Sequence, residues 1–544
     1  PFDITDVINH ESNFATMSLL NGDTSTSTEF RFGGTVFKTR SNAANVGSSI
    51  AVNSGKWYGE FVCTEKNSVN MGVSVASLRG FDGERQGNES QHGGYGYYYV
   101  NNGTLYLPSG NSTGRRAWDV GDVIGVALDM DNHKVNFYLN NSPQGEYSIS
   151  SDYDYYVMAA GGGQGSAYQV FDVNFGQKAF RFLPPKGYKG LSLSNVSTPI
   201  IRPQKHFDTL LYTGNDSTNV ITGLEFAPDF VWIKNRSNVS HHLAMDTVRG
   251  LNNLRVNLNA DESSNGSVHI QTFNSDGFTL AGSGGNSNDN GNNYVAWCWK
   301  AGGTAVTNND GSIASQVSAN TEAGFSIVGY TGTGSNATVG HGLGSAPQFI
   351  ITKQRSTAGH HWRTYHKSVG ATRSLYLDLN NAQSGTDAGF MNNTEPTSTV
   401  FSIGNDTNIN ENSQTHIAYC WTEIPGYSKM GKFTGNGNAN GPFIHTGFRP
   451  AFILFKNSST TTNWELYDTT RPYGVSNPAL RPLYANLTNT EETHATLPLL
   501  DILSNGFKIR GTWDEFNKNG DTIVYVAFAE QPQSTSLGTQ SNAR

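Results

Sequence analysis

The chain has 544 residues, of which 36% are apolar, 11% aromatic and only 15% charged, with 61 glycines and a formal net charge of -8. This length predicts roughly three to five domains, and the aromatic content excludes a chain disordered throughout. The acidic balance, with a pI near 6.0, argues against nucleic acid as the main partner, and no run approaches the roughly eighteen apolar residues of a membrane-spanning helix. Gly, Asn, Ser and Thr fill the gaps between short aromatic and β-branched runs, which is the composition of an all-β protein with many turns.

Residues 1–32 are largely polar and irregular, with one apolar patch at Phe14, Met17, Leu19 and Leu20. Two readings stand side by side: a strand added to the next domain, or an attachment segment docking on a larger assembly. The start is acidic and lacks a signal-peptide pattern. A leading Pro is what removal of an initiator Met leaves, so a nearly full-length chain made in a cytoplasm is expected.

Residues 33–182 read as the first domain, built of alternating strands. Ile124, Val126, Leu128 and Met130 fall on one face of a strand, and Val135, Phe137 and Leu139 on one face of its partner. Residues 131–134 make the hairpin turn between them. The runs GKWYGEF (55–61), MGVSVAS (71–77), GYGYYYVNNGTLY (94–106), WDVGDVIGVALDMDNHKVNFYLNN (118–141) and QGEY (144–147) follow one another here. In that order they resemble the SPRY domain, a sandwich of the concanavalin A-like class. The resemblance implies a non-catalytic domain that binds protein or carbohydrate through loops at one edge. Residues 183–206 are Pro-rich and read as a stiff linker.

Beyond it, one strand pattern occurs three times. Pro228 and Lys234, Pro347 and Lys353, and Pro450 and Lys456 are each six apart around an apolar run. Both faces of that run are apolar until the Lys, which predicts a strand buried on both sides that surfaces at its end. Tyr-Thr-Gly at 212–214 and 330–332 and Phe-Thr-Gly at 433–435 precede it. Closing strands at 294–300, 416–422 and 525–531 follow it. Matched ends in the same order predict three tandem β repeats at 207–300, 323–423 and 428–530. A polar linker at 301–322, a shorter one around Ile424–Tyr427 and a tail at 531–544 complete the layout. Such short linkers favour a stacked rod. The fold class is therefore all-β and multidomain: a SPRY-like β-sandwich followed by three tandem β-sandwich-like repeats.

HFDTLLYTGN, FAPDFVWIKNRS, WKAGGTAVTNNDGSI and GFSIVGYTGTGSNATVGHGLGSAP give nearly the whole chain a further resemblance, to large virion-appendage proteins of marine bacteriophages. It implies a tail- or head-fibre role and location in the virion, after synthesis in the bacterial host.

Signatures of chemistry are sparse. There is no Gly-x-Ser-x-Gly elbow, Cys-x-x-Cys, His-Glu-x-x-His or P-loop. Glu60 and Glu65 are five apart on a strand and so face opposite ways, which is not the geometry of a glycosidase pair. Cys63, Cys298 and Cys420 form no even framework. Cys298 and Cys420 match each other and Ala529, which suits a small buried side chain. His241-His242 and His360-His361, seven and eight after their lysines, match Asn463 and Trp464 in the third repeat. Adjacent strand residues point opposite ways, so neither pair grips one ion easily. Asn286–Gly291 imitates a calcium loop but has Trp297 where the position-twelve carboxylate belongs, so a plain turn is expected. No metal or cofactor is expected.

Aromatic residues are the better binding candidates. Tyr95, Tyr97 and Tyr99 share one face of a strand, and exposed rings of this kind stack on sugars. Arg79, Phe81, Asp82, Arg85, Arg115 and Arg116 could flank them, although Tyr in the sandwich core is the plainer reading. Arg236, Arg249 and Arg355, which follow the repeat strands, suit salt bridges between chains at least as well as ligand contacts. The preferred function is a structural virion protein, a tail or head fibre that attaches to a host-surface glycan or protein without catalysis. Its expected partners are other virion proteins and further copies of itself, with a trimer favoured. A polysaccharide depolymerase and a purely structural decoration or connector are the alternatives.

Overall fold

The computed structural model describes residues 14–22, 29–40, 46–52, 54–67, 71–77, 96–107, 110, 112–150, 156–162, 168–192, 195, 200, 202–264, 269–282, 284–471, 478–479, 481–491 and 499–532. They are almost entirely strands and turns, with three α-helices of four residues each and two 3-10 turns. Among them no helix is long and apolar enough to cross a membrane. The chain divides into two units, with the boundary between Ser197 and Thr198.

The first unit packs a six-stranded sheet on an eight-stranded one. The hairpin predicted around 131–134 is present, with Val123–Asp129 paired to Lys134–Leu139. Its inward residues Ile124, Val126, Leu128, Val135, Phe137 and Leu139 all lie in the core between the sheets. The apolar patch before residue 32 has a structural use: Met17–Gly22 pairs with Val46–Ser48 as an edge strand of the six-stranded sheet, and Met17 is buried. This is the added-strand arrangement.

The second unit contains three larger sheets built on one strand order. In the first, Phe207–Thr213 (opening), Asn293–Trp299 (closing), Phe230–Asn235 (lysine), Leu243–Asp246 (corner) and Gly250–Arg255 (outer) lie side by side. In the second the same roles fall to Phe325–Thr331, Thr415–Trp421, Phe349–Gln354, Arg363–His366 and Leu375–Tyr376. In the third they fall to Ser428–Thr434, Thr522–Pro532, Phe448–Asn457, Glu465–Asp468 and Leu483–Tyr484. Each sheet also has a small companion sheet on its outer face, and separate cores fill those outer layers.

The inner faces meet each other. Phe230, Trp232, Trp297 and Trp299 of the first sheet share one core with Phe349, Tyr419 and Trp421 of the second and Phe452, Val526 and Phe528 of the third. Alternation explains this arrangement: within each lysine strand the odd and even side chains serve different cores. The rod expected from the short linkers is not what forms, because the inner faces would then be wet. The stretch 301–322 is also more than a linker, since Val306–Asn308 and Ser315–Asn320 extend the second sheet to seven strands.

Register corrects two matches made on sequence. Phe230 opposes Trp299, Phe349 opposes Trp421 and Phe452 opposes Phe528. Phe528 therefore occupies the place of Trp299, and Ala527, not Ala529, that of Cys298. The third closing strand was matched two residues out of step.

Candidate functional site

The edge of the first unit holds four of the nine candidate ligand residues. Tyr97 and Tyr99 are buried in the sandwich core, so they offer no stacking face. Their neighbour Tyr98, on the other face, is buried as well. The Tyr99 hydroxyl donates to the Arg116 carbonyl. Arg115 is a brace: its guanidinium donates to Tyr147 Oη at 2.6 and 2.9 Å, to Ser112 Oγ at 2.7 Å and to the Thr113 carbonyl at 2.7 Å. It ties the 112–116 loop to the edge strand Ser142–Ser148. Arg116 is exposed on that loop, with its N–H donating to Gln144 Oε1 at 3.1 Å. It is the one candidate among the described residues that could reach a ligand. Arg79, Phe81, Asp82, Arg85 and Tyr95 lie outside the described residues. Glu60 is buried by its strand and accepts the backbone N–H groups of Arg181 and Phe182 at 2.8 and 2.9 Å. It thereby holds the chain turn at 181–182 in place.

In the second unit the polar chemistry is concentrated where sheet meets sheet. Lys234, Lys353 and Lys456 do not surface; all three are 0% exposed. Lys234 Nζ donates to the Ser240 carbonyl in its own sheet (2.9 Å) and to the Thr488 carbonyl beside the third sheet (3.1 Å). Lys456 Nζ donates to Thr462 O (2.7 Å) and across to Asn380 O beside the second sheet (3.2 Å). Lys353 Nζ donates to Gln354 O and His360 O, both at 2.8 Å. Burial pushes the Lys234 and Lys456 amines down to about 7 and Lys353 to about 8.

The doubled histidines belong to the same clamp. The His242, Trp362 and Trp464 N–H groups donate to Asn257, Asp378 and Asn486 side chains at 3.0–3.1 Å. His361, not His360, thus corresponds to His241, because one extra residue follows Lys353. The accepting residues lie in a motif missed on sequence, Leu-x-x-(Asn/Asp)-Leu, at 254–258, 375–379 and 483–487. A second missed feature is a buried asparagine in each lobe. The Asn288, Asn410 and Asn517 Oδ1 atoms accept from Asn215, Thr333 and Asn436 N–H, while their Nδ2 atoms donate to the Gly282, Gly404 and Gly511 carbonyls. This is what the calcium-like loop at 286–291 does: it latches the turn after Tyr-Thr-Gly. Among the described residues no group of three His, Cys, Asp or Glu could hold a metal ion.

Two chains of ion pairs of one build cross between sheets, and a differently placed one, Lys367–Glu423–Lys429 at 2.8 and 2.5 Å, joins the second sheet to the third. Arg355 of the second reaches Glu262 at 2.7 Å, Glu262 reaches Arg249 at 2.8 Å, and Arg249 reaches Asp246 at 2.5 Å in the first. Tyr419 Oη of the second donates to the same Asp246 at 2.7 Å. Likewise Arg236 of the first reaches Glu491 at 2.6 Å, and the third sheet continues through Arg471 to Asp468. Trp297 Nε1 donates to Asp468 at 3.1 Å. Burial works against the Glu262 and Glu491 charges, but the arginines outweigh it and hold both below the usual carboxylate range. The arginines suspected of joining chains thus join sheets of one chain.

Comparison with known proteins agrees with the division into two units. The SPRY domain model matches residues 56–177, and the chain carries that domain at its N-terminal side. Similar solved structures include the SPRY domain of human HERC1 (17% identity, TM-score 0.23, covering 27% of this chain and 93% of that one). The TRIM65 PSpry domain is also similar (10% identity, TM-score 0.24, 30% and 91%), as is stonustoxin (13% identity, TM-score 0.25, 30% and 27%). No curated protein matches the sequence. A second family model spans residues 202–532, more than half of the chain and nearly all of the three-sheet unit, and by that match the chain belongs to the family described as Domain of unknown function (DUF7483).

Proposed function

We propose that the protein is a structural attachment protein of a bacteriophage particle, a tail or head fibre component that contacts the host-cell surface without catalysis. In this reading the three sheets are copies of one unit, the SPRY domain is the binding module, and the remaining partners are virion proteins. The observation that supports it most is how the ionisable groups of the three-sheet unit are used. Lys234, Lys456, Arg249 and Arg471 are sealed into sheet-to-sheet clamps, which suits a rigid body that must hold its shape under load. Three lobes closed inside one chain present their outer surfaces three times over, so repeated weak contacts gain avidity without a second chain. Arg116, exposed on a braced loop, is the first side chain to examine for ligand contact.

The test is binding of labelled full-length protein to intact bacterial cells of candidate hosts, with reducing ends assayed in the supernatant. Saturable binding without new reducing ends is expected. Released reducing ends would replace this reading with a depolymerase, and absence of binding across hosts would replace it with a decoration or connector.

A further inference from the structure

The two ion-pair chains of one build have no third counterpart at the matching positions, and the way it is missing is informative. Strand register identifies the matching positions. Arg236 and Arg355 correspond to Ser458, each two residues after its lysine. The Glu262 N–H donates to the Arg355 carbonyl, Glu491 to Arg236, and Gln383 to Ser458, at 2.9–3.0 Å, so Gln383 stands where the other sheets have Glu. Asp246 and Asp468 oppose Phe230 and Phe452, and His366 opposes Phe349. Val369 stands where Arg249 and Arg471 do, three residues further on. Trp297 and Tyr419 oppose Trp232 and Ile351, and Val526 opposes Leu454. At these matched positions between the third and second sheets, every charged member is thus replaced by an uncharged one, on both sides at once; the Lys367–Glu423–Lys429 pairs that also join these two sheets stand at other positions. The aromatic donor is lost with its acceptor: Val526 has no donor, and His366 Nε2 pairs instead with the Tyr525 carbonyl at 3.1 Å. Its Nδ1 accepts from the Ser368 N–H, which leaves Nε2 to carry the proton.

We propose that these flank residues are a recognition code that fixes which sheet neighbours which. Each sheet has an outgoing flank (Arg236 with Trp297, Arg355 with Tyr419, Ser458 with Val526) and an incoming flank (Glu262–Arg249–Asp246, Gln383–Val369–His366, Glu491–Arg471–Asp468). The observed ring joins second to first, first to third and third to second, and all three contacts match. The opposite cyclic order would set Arg236 and Trp297 against Gln383 and His366. It would also leave the Glu262 chain facing Ser458 and Val526. A buried charge without its partner is strongly disfavoured, so unmatched flanks act against the wrong ring more than matched ones favour the right one. Three sheets with one fold and similar apolar inner faces need such a device, because packing alone does not tell them apart.

The code is tested in the full-length protein at the contact whose matched flanks are uncharged. Ser458→Arg alone places an arginine against Gln383; it should lower Tm by roughly 5–10 °C and add species heavier than the parent by light scattering. Adding Gln383→Glu should restore most of that Tm and the parental mass. Gln383→Ala, uncharged for uncharged, should stay close to the parent in both measurements. The proposal is overturned if Ser458→Arg behaves as the parent, if the double variant is no better than Ser458→Arg, or if Gln383→Ala falls as far as Ser458→Arg.

Discussion

Lys234, Lys353 and Lys456 are each fully buried, and among the described residues their amines bond only carbonyl and hydroxyl oxygens. A strand pattern reads such a lysine as the point where the chain reaches water, because burial of an amine is costly. Here that cost is offset by carbonyls which a single strand does not reveal, two of them supplied from a neighbouring sheet. The consequence is a pH dependence with a definite sign. Burial lowers these amines from 10.5 to about 7, 8 and 7, so above about pH 7 the unfolded chain binds protons that the folded one has released. Stability therefore rises with pH from about 7 to about 10.5, and the burial cost is present in full below that window. Urea midpoints followed by tryptophan fluorescence should move upward between pH 7 and 9.5, and Lys456→Met should show a shallower rise. A fall across this range in the parent protein would contradict the lysine assignment.

At the scale of elements, the three Thr-Gly turns show how tightly each opening strand is seated. A Cβ on Gly214, Gly332 or Gly435 would lie 2.2–2.3 Å from the Asp289, Glu411 or Lys518 carbonyl. Backbone on both sides leaves nothing flexible to yield. Gly332→Ala is expected to cost roughly 1–3 kcal/mol in equilibrium unfolding, whereas Gly344→Ala, with open space around its Cβ but a φ of 72°, should cost only the backbone strain. Elements of this kind were largely legible in the sequence. The lysine strands, the 131–134 hairpin and the SPRY strands announce themselves by period-two alternation. Their partners in space are less visible. A slip of two residues in the third closing strand leaves every side chain on its proper face, so alternation cannot detect it. One residue inserted between Lys353 and His361 is enough to pair the wrong histidines. Tyr97 and Tyr99 looked like a stacking face because alternation says which residues share a side, and not which side is wet.

For the whole molecule, the decisive feature is that three inner faces make one core. No single lobe encodes it, since an apolar face reads the same against a companion sheet as against two sisters. The charged contacts then carry unequal weight around the ring. Glu262 holds two arginines from two sheets and is 11% exposed, so Glu262→Gln should cost about 3–5 kcal/mol, while Gln383→Ala at the corresponding place should cost far less. The core makes a further demand, on cooperativity. The Trp299 ring lies 4.8 Å from Phe207 and 5.3 Å from Phe230 in its own sheet, 6.1 Å from Trp421 in the second, and 5.8 and 5.6 Å from Phe452 and Phe528 in the third. Trp299→Ala removes packing from all three at once, at a cost of about 3–5 kcal/mol. If each lobe stood on its own core, peptides from the first sheet would lose hydrogen-exchange protection while those from the second and third kept theirs. With a shared core the loss has no local address. Protection of the closing strands Asn293–Trp299, Thr415–Trp421 and Thr522–Pro532 should fall together and by similar factors, because once one inner face is wet the other two have nothing left to pack against.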